Sequence, residues 1–321
     1  MIQEYQYVYE VYKERSFTKA ARNLFISQPS LSASIRKIET QQGYKIFNRS
    51  SSKLQLTQEG EYYIKAAEKI LNAEKELATY ISELSNLEIG EITVSGTALF
   101  SSCVIPEIIK TFSALYPKIT LHFMEADSLL LYQRALEDQV DLIIDGGQMN
   151  SELFEKTFLF HEPILRAVPM HDPIVNIYHL LDQALSLNDI LQGRHLQEDC
   201  PSIDLSLLQN ETLLLLQAGH DMHTRSLQLC EDYGFTPKNS IYLNQLMTAF
   251  HMACKGLGST FITDTLVKHS NITAPMLYFK LNPGNPALIQ REVFIAHRKN
   301  CHVTHAMEKF IKTCHQLTIF D

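Results

Sequence analysis

Leu31, Ile35 and Ile38 recur at i, i+4 and i+7, which puts them on one buried helical face and leaves Gln28, Ser30, Ala33, Ser34 and Lys37 facing outward. An amide, small hydroxyls and a cation on one helix face suit contact with base edges and phosphates in a major groove. The helix that carries them has a start signal in Ser27-Gln28-Pro29, a capping-type residue followed by proline in the first turn. A shorter helix through Ala20, Ala21 and Leu24, with Thr18 as its cap, precedes it, and the paired alanines allow close approach. Gly43 is a natural stop for the second helix. Segments 46–49 and 53–57 flank a serine tip as two strands of a small wing, which sets Arg49 and Lys53 where a wing meets phosphate. Taken alone, the segment also reads as an ordinary three-helix core with a solvated polar face.

The charge distribution favours the nucleic-acid reading. Residues 1–57 hold 9 Lys and Arg against 4 Asp and Glu, a balance of +5, whereas residues 58–321 hold 19 against 32, a balance of −13. A basic head on an acidic body is the footprint expected when only the first domain meets a polyanion.

The next stretch predicts dimerisation. Residues 57–87 contain no proline, and Thr57 is a natural helix cap. Tyr63, Ile70, Leu77 and Leu84 repeat every seven residues, and Ala66, Ala73, Tyr80 and Leu87 repeat with an offset of three. That is an a/d seam for a partner helix, the alternative being a long helix packed on its own body. A two-fold pair would present two reading helices to a pseudo-palindromic site.

After Gly90 the pattern alternates. Strands are expected at 92–95, 120–124 and 142–145, with helices at 104–116 and 128–138 between them. A second series has strands at 163–168, 211–216, 240–243 and 259–263, with helices at 222–233 and 245–255. Strands at 276–281 and 291–297 and a helix at 303–317 close the chain. Such alternation implies βαβ units in a parallel sheet covered by helices. A small molecule is expected where strands hand over to helices, and free N–H groups at helix starts there favour a carboxylate or other anion.

SFTKAARNLFISQPSLSASIRKIETQQGYKIFNRSSSKLQLTQEG resembles the N-terminal winged helix-turn-helix of LysR-type transcriptional regulators. The shared marks are the SFT start, the double alanine, the SQP turn, the I-x-x-[IL]-E end, the F-x-R wing entry and the LTxxG exit. Ala33 and Ser34 stand where many members carry arginine or another long polar residue, so base reading leans on Gln28, Pro29, Ser30 and Ser34, with Ser27 and Lys37 as further DNA-binding residues. GEITVSG, VIPEIIKTFSALYPKITLHFMEA and LLLLQAGHDMHTRSLQLCEDYGFTP resemble the family's two-lobed effector domain of periplasmic-binding-protein type.

The resemblance implies a multi-domain α/β chain: a winged helix-turn-helix at 1–57, a coiled-coil linker and dimerisation helix at 58–89, and an effector-binding domain at 90–321. Lobe one spans about 90–162 and 269–321, and lobe two about 163–268. It places Thr97, Leu99, Phe100 and Ser128 against an effector from one lobe and Gln217 and Asn244 from the other. It further implies a homodimer assembled as a dimer of dimers and contact with RNA polymerase, with no cofactor beyond the effector; a cytoplasmic setting with reduced thiols is the default expected from the sequence itself. Residues 177–200 depart from the usual effector domain and read as a helix added to lobe two.

Competing chemistries have weaker support. The six cysteines are scattered without a CxxC pair, and Cys301, His302, His305, Cys314 and His315 fit no zinc module. The family's peroxide-sensing branch has two reactive cysteines in the segment matching GHDMHTRSLQLC; here those positions are Asp221 and Cys230. Sensing of redox state or metal through Cys and His groups stays open as the alternative. Ser101, Asp127 and His122 fall near strand ends, but no GxSxG surrounds a serine, so an enzyme is not expected. Gly256-Leu257-Gly258 lacks the third glycine of a nucleotide loop, and no apolar run is long enough to span a membrane.

Overall fold

Hydroxyl caps set the helices of the N-terminal unit, Met1–Ile89. In the computed structural model, which describes residues 2–48, 54–84, 89–270 and 274–317, α1 (Ile2–Glu14), α2 (Phe17–Asn23) and α3 (Gln28–Gln42) come first. Ser16, rather than Thr18, caps α2, because position 16 is the extended residue just outside the first turn, and its side chain accepts from the Lys19 N–H. Ser27 caps α3, and Gly43 ends it in the left-handed region at φ 79°. Val8 and Val11 of α1, Ala20 and Ala21 of α2, and Leu31, Ile35 and Ile38 of α3 meet in one core.

The wing is tied to α3 by one carboxylate. Strands β1 (Phe47–Asn48) and β2 (Gln55–Leu56) pair antiparallel. Buried Glu39 accepts from the backbone N–H groups of Ile46 at 2.9 Å and Phe47 at 3.2 Å, which gives the I-x-x-I-E pattern its physical role. Thr57 begins α4 (Gln58–Leu84), accepting from the Gly60 N–H at 2.9 Å while donating to the Lys45 carbonyl at 2.5 Å. A Cβ at Gly60 would overlap the Ile46 carbonyl oxygen, so the LTxxG exit must end in glycine.

The C-terminal unit, Gly90–Asp321, begins with β3 (Gly90–Gly96), α5 (Ala98–Cys103), α6 (Ile105–Leu115), β4 (Ile119–Glu125), α7 (Ser128–Leu136) and β5 (Leu142–Asp145). The helix expected at 104–116 is α6, with Pro106 in its first turn, and the short α5, not expected from the sequence, meets it at Val104. The long β6 (Phe154–Pro169) leads to α8 (Pro173–Ile177), α9 (Leu187–Leu191), β7 (Ser202–Ile203), β8 (Thr212–Leu216), α10 (Asp221–Asp232) and β9 (Asn239–Leu243). Then follow α11 (Leu246–Cys254), β10 (Ser259–Thr263), α12 (Asp264–His269), β11 (Met276–Leu281), β12 (Gln290–Arg298) and α13 (His305–Gln316).

The strand order is β4-β3-β5-β12-β6-β10-β8-β9, with β11 also on β6. Each lobe has a parallel set, β4-β3-β5 in one and β10-β8-β9 in the other. Antiparallel β6 ties them: its first part pairs with β12 and its last part with β10 and β11. The sheet is therefore mixed, and the expected strand at 163–168 is only the end of β6. Residues 177–200 form a strap of short turns instead of one helix. Leu180, Leu185, Ile190 and Cys200 are buried in it, and Leu185 exchanges backbone hydrogen bonds with Tyr278 at 2.8 and 2.9 Å.

Candidate nucleic-acid interface and effector cleft

On α3 the apolar face is buried and Ser27, Gln28, Pro29, Ser30 and Lys37 are exposed, with Ser34 half-buried. Ser27 also has structural work: its hydroxyl accepts the Ser30 N–H at 3.3 Å and lies 2.8 Å from the Ser30 hydroxyl. Gln28 Nε2 donates to Ser32 Oγ at 3.3 Å, holding the amide along the helix. Arg49 and Lys53 lie outside the described residues. Sequence reading missed Phe25, which is 96% exposed at φ 54° in the turn before α3. Between Leu24 and Ile26 it looks like core. The turn nevertheless closes by Phe25 N–H to Arg22 O at 3.1 Å and Ile26 N–H to Ala21 O at 3.0 Å, leaving the ring outside.

The seam needs one correction. Tyr63 is buried in the unit's own core with Ile64 and Ala67, its ring 5.4 Å from that of Tyr5. The first turns of α4 serve α1, and a residue packed there is not offered to a partner. Further along, Ala66 and Ala73 are exposed, Ile70 is half-buried and Leu77 is 60% exposed. The side chains of Tyr80, Leu84 and Leu87 lie outside the described residues.

In the C-terminal unit, the carboxyl ends of the parallel strands of both lobes face a cleft of about 520 Å³. Thr97, Leu99, Glu125, Asp127, Ser128, Asp145 and Gly147 line it from the loops after β3, β4 and β5. Leu216, His220, Asp221, Met222, Asn244 and Met247 line it after β8 and β9, the place where open α/β sheets hold ligands. Four expected residues, Thr97, Leu99, Ser128 and Asn244, are thus brought together. Phe100 is not among the lining residues: it is fully buried, one position past Leu99 on α5, and its ring lies 5.7 Å below the Arg291 guanidinium. Gln217 is exposed outside the cleft, its N–H bonded to the Leu243 carbonyl at 2.8 Å.

Arg291 is the feature that sequence reading did not find. It is 8% exposed, lines the cleft, and stands directly across the β12–β6 ladder from Glu162, to which its Nε donates. Asp221 lies 3.8 Å from its Nη1 and also pairs with Arg225 at 2.7 Å. Burial works against the Arg291 charge, but Glu162, Asp221 and Asp145 outweigh it and hold its pKa above the usual arginine value. A Cβ on Gly146 would press on the Arg291 guanidinium, so this glycine gives the side chain its room. Nearby, the Tyr132 hydroxyl donates to Asp145 Oδ2 at 2.5 Å and the Gly146 N–H donates to Oδ1 at 2.8 Å. Burial first, and then the Asp145 charge, push the Tyr132 phenol far up.

The cysteines are dispersed. Cys230 is fully buried and its thiol is pushed up to about 11 by burial, while Cys103 rises to about 11 by burial and the charge of Glu162. Among the described residues no three His, Cys, Asp or Glu side chains could together hold a metal ion. No helix among them is long and apolar enough to cross a membrane.

Residues 2–61 match the family described as "Bacterial regulatory helix-turn-helix protein, lysR family", and residues 85–318 match "LysR substrate binding domain". A Bacillus subtilis protein described as an uncharacterized HTH-type transcriptional regulator, YcgK, is 31% identical over 263 residues, 79% of this chain and 77% of that protein. The DNA-binding transcriptional dual regulator OxyR of Escherichia coli K12 is 26% identical over 81% of this chain and 78% of its own. Among solved structures, a full-length OxyR variant from Pseudomonas aeruginosa superposes with a TM-score of 0.70 at 24% identity, covering 100% and 99% of the two chains. Full-length CbnR in complex with its target DNA gives a TM-score of 0.64 at 14% identity, covering 98% of this chain and 99% of CbnR.

Proposed function

Because the chain belongs to the LysR family of transcriptional regulators, we propose that it reads DNA as a homodimer whose arrangement is set by a small molecule in the cleft. The chain is a DNA-binding regulator with an effector-binding domain; the reading concerns how these parts work together. Gln28, Pro29 and Ser30, at the exposed start of α3, enter the major groove, Ser34 and Lys37 follow along it, and Arg49 and Lys53 hold phosphate. Ala66, Ile70, Ala73 and Leu77, with Leu84, form the dimer seam, so that two reading helices meet a pseudo-palindromic operator.

The effector acts by population shift. A ligand that contacts both lobes favours one relative placement of them, which changes the spacing of reading helices in a dimer of dimers, and with it DNA bending and contact with RNA polymerase in the cytoplasm. The single observation that carries this reading is a helix with a buried apolar face and an exposed polar one in the same chain as a two-lobed cleft.

A second reading, redox sensing, draws on the OxyR relatives. Cys230 speaks against it, since a fully buried thiol raised to about 11 holds little thiolate at neutral pH. Footprints of the protein on its operator decide between the two. The effector reading expects protection that shifts with a small molecule and is unmoved by thiol reagents or chelators. A footprint that shifts on oxidation and returns on reduction would replace it with the redox reading.

A further inference from the structure

Phe25 is more exposed than any other large apolar side chain among the described residues. It is also the one apolar residue among those with positive φ other than glycine, the rest being Arg15, Asp138, His179 and Asn300. The left-handed region costs any residue with a Cβ, so a turn of this shape favours glycine or a short polar side chain. Leu24 and Ile26, on either side, pack on the core of the unit. With the N–H groups of Phe25 and Ile26 tied to the Arg22 and Ala21 carbonyls, the ring cannot turn inward without pulling a neighbour out. Glycine would make the same turn without strain and without apolar surface in water. A strained backbone that keeps a bulky ring in solvent points to a contact outside the unit.

The position of the turn says what that contact is. Phe25 lies two residues before the Ser27 cap and three before Gln28, both exposed at the start of α3. Three residues of chain span at most about 10 Å. Successive bases on a strand are about 3.4 Å apart, so a base met by Gln28 is within about three steps of any base that Phe25 can reach. Lys19 and Arg22, exposed on α2, flank the ring with positive charge. A single ring among cations and hydroxyls is not the broad apolar patch that a protein partner needs. In the major groove the apolar group on offer is the 5-methyl of thymine, and phenylalanine is among the side chains that pack on it.

We propose that Phe25 is a base-reading residue, its ring packed on the 5-methyl group of one thymine in each half-site, within about three base pairs of the base that Gln28 meets. This rests on the reading of α3 as the helix that enters the groove. The test uses the full-length protein and the palindrome that it selects from a random pool. Each thymine in turn is replaced by deoxyuridine, which removes the methyl group and keeps the base pair, and affinity is followed by fluorescence anisotropy. At one thymine per half-site the replacement weakens the parent by about fourfold, the worth of one buried methyl group. Phe25→Gly binds the unmodified palindrome at least that much more weakly and is indifferent to the methyl at the same thymine. Its melting temperature is equal to the parent's or higher, because glycine relieves the left-handed turn. Phe25→Leu keeps an apolar side chain and most of the thymine preference.

Equal uracil penalties in the parent and in Phe25→Gly at every thymine, or parental affinity in Phe25→Gly, overturn the proposal. With a palindrome whose recognition still needs Gln28, either result removes the Phe25 contact and leaves the reading of α3 standing. Binding with no sequence preference overturns that reading and the thymine contact with it.

Discussion

In the N-terminal unit Gln28, Ser30 and Lys37 stand exposed on a helix whose opposite face carries the core, whereas in the C-terminal unit Arg291 and Asp145 line the cleft while buried. The first arrangement separates function from stability, because the side chains that would touch DNA can change without disturbing Leu31, Ile35 and Ile38. The second fuses them. A group that faces ligand also neutralises a buried partner, so altering the site alters the fold.

The largest effect that this contrast predicts is at Arg291. Arg291→Met leaves Glu162 fully buried and unpaired, and should cost the C-terminal unit about 3–5 kcal/mol, read as a fall in its urea midpoint. Adding Glu162→Gln should restore much of it, since both charges are then gone. A loss below about 1 kcal/mol for Arg291→Met would break the comparison.

Glu39 is the head's own buried anchor and sharpens the contrast from the other side. Glu39→Ala strands the N–H groups of Ile46 and Phe47, and should lower the stability of the N-terminal unit by about 2–4 kcal/mol. Unchanged thermal unfolding would mean that water satisfies those donors. By contrast, Gln28→Ala or Ser34→Ala should move stability by no more than about 0.5 kcal/mol while discrimination between operator and random DNA drops by ~1–3 kcal/mol. Equal losses on both DNAs would mean that these residues position the helix and read nothing.

The smallest effect concerns Glu211, beside Asp172 in lobe two. Burial, then the charge of Asp172 and a hydrogen bond with it, raise the Glu211 pKa from 4.5 to about 7. Between those values the folded protein keeps a proton that the unfolded chain releases, so this group makes stability fall as pH rises, with no contribution below pH 4.5 and a constant penalty above about 7. Glu211→Gln should match the parent at pH 4 and melt higher at pH 8, by less than about 1 kcal/mol given its partial exposure. A difference independent of pH would show that neither burial nor Asp172 raises the Glu211 pKa in the folded protein.

Legibility follows the same divide. The Ser27-Gln28-Pro29 start, the Gly43 stop and the Thr57 cap were readable because each acts within a few residues of itself. The roles of Glu39 and Gly60 lay inside a resemblance that named them without explaining them. Arg291 and Glu162 could not be paired from sequence, since 129 residues separate them and only the antiparallel register of β6 and β12 puts them opposite. Tyr63 misled because a seven-residue repeat and a helix packing on its own unit coincide over one or two turns. Asp145 was visible as a strand end, but nothing local says that its only donors are neutral. Phe25 shows the limit of hydropathy, since an apolar residue in a turn at positive φ can point anywhere.

Selection of bound DNA from a random pool by the full-length protein, with the winners sequenced, tests the central claim most directly. Enrichment of an interrupted palindrome is predicted, with half-sites about one helical turn apart or a multiple of that, and weakened by Gln28→Ala. No enrichment at low salt would contradict it.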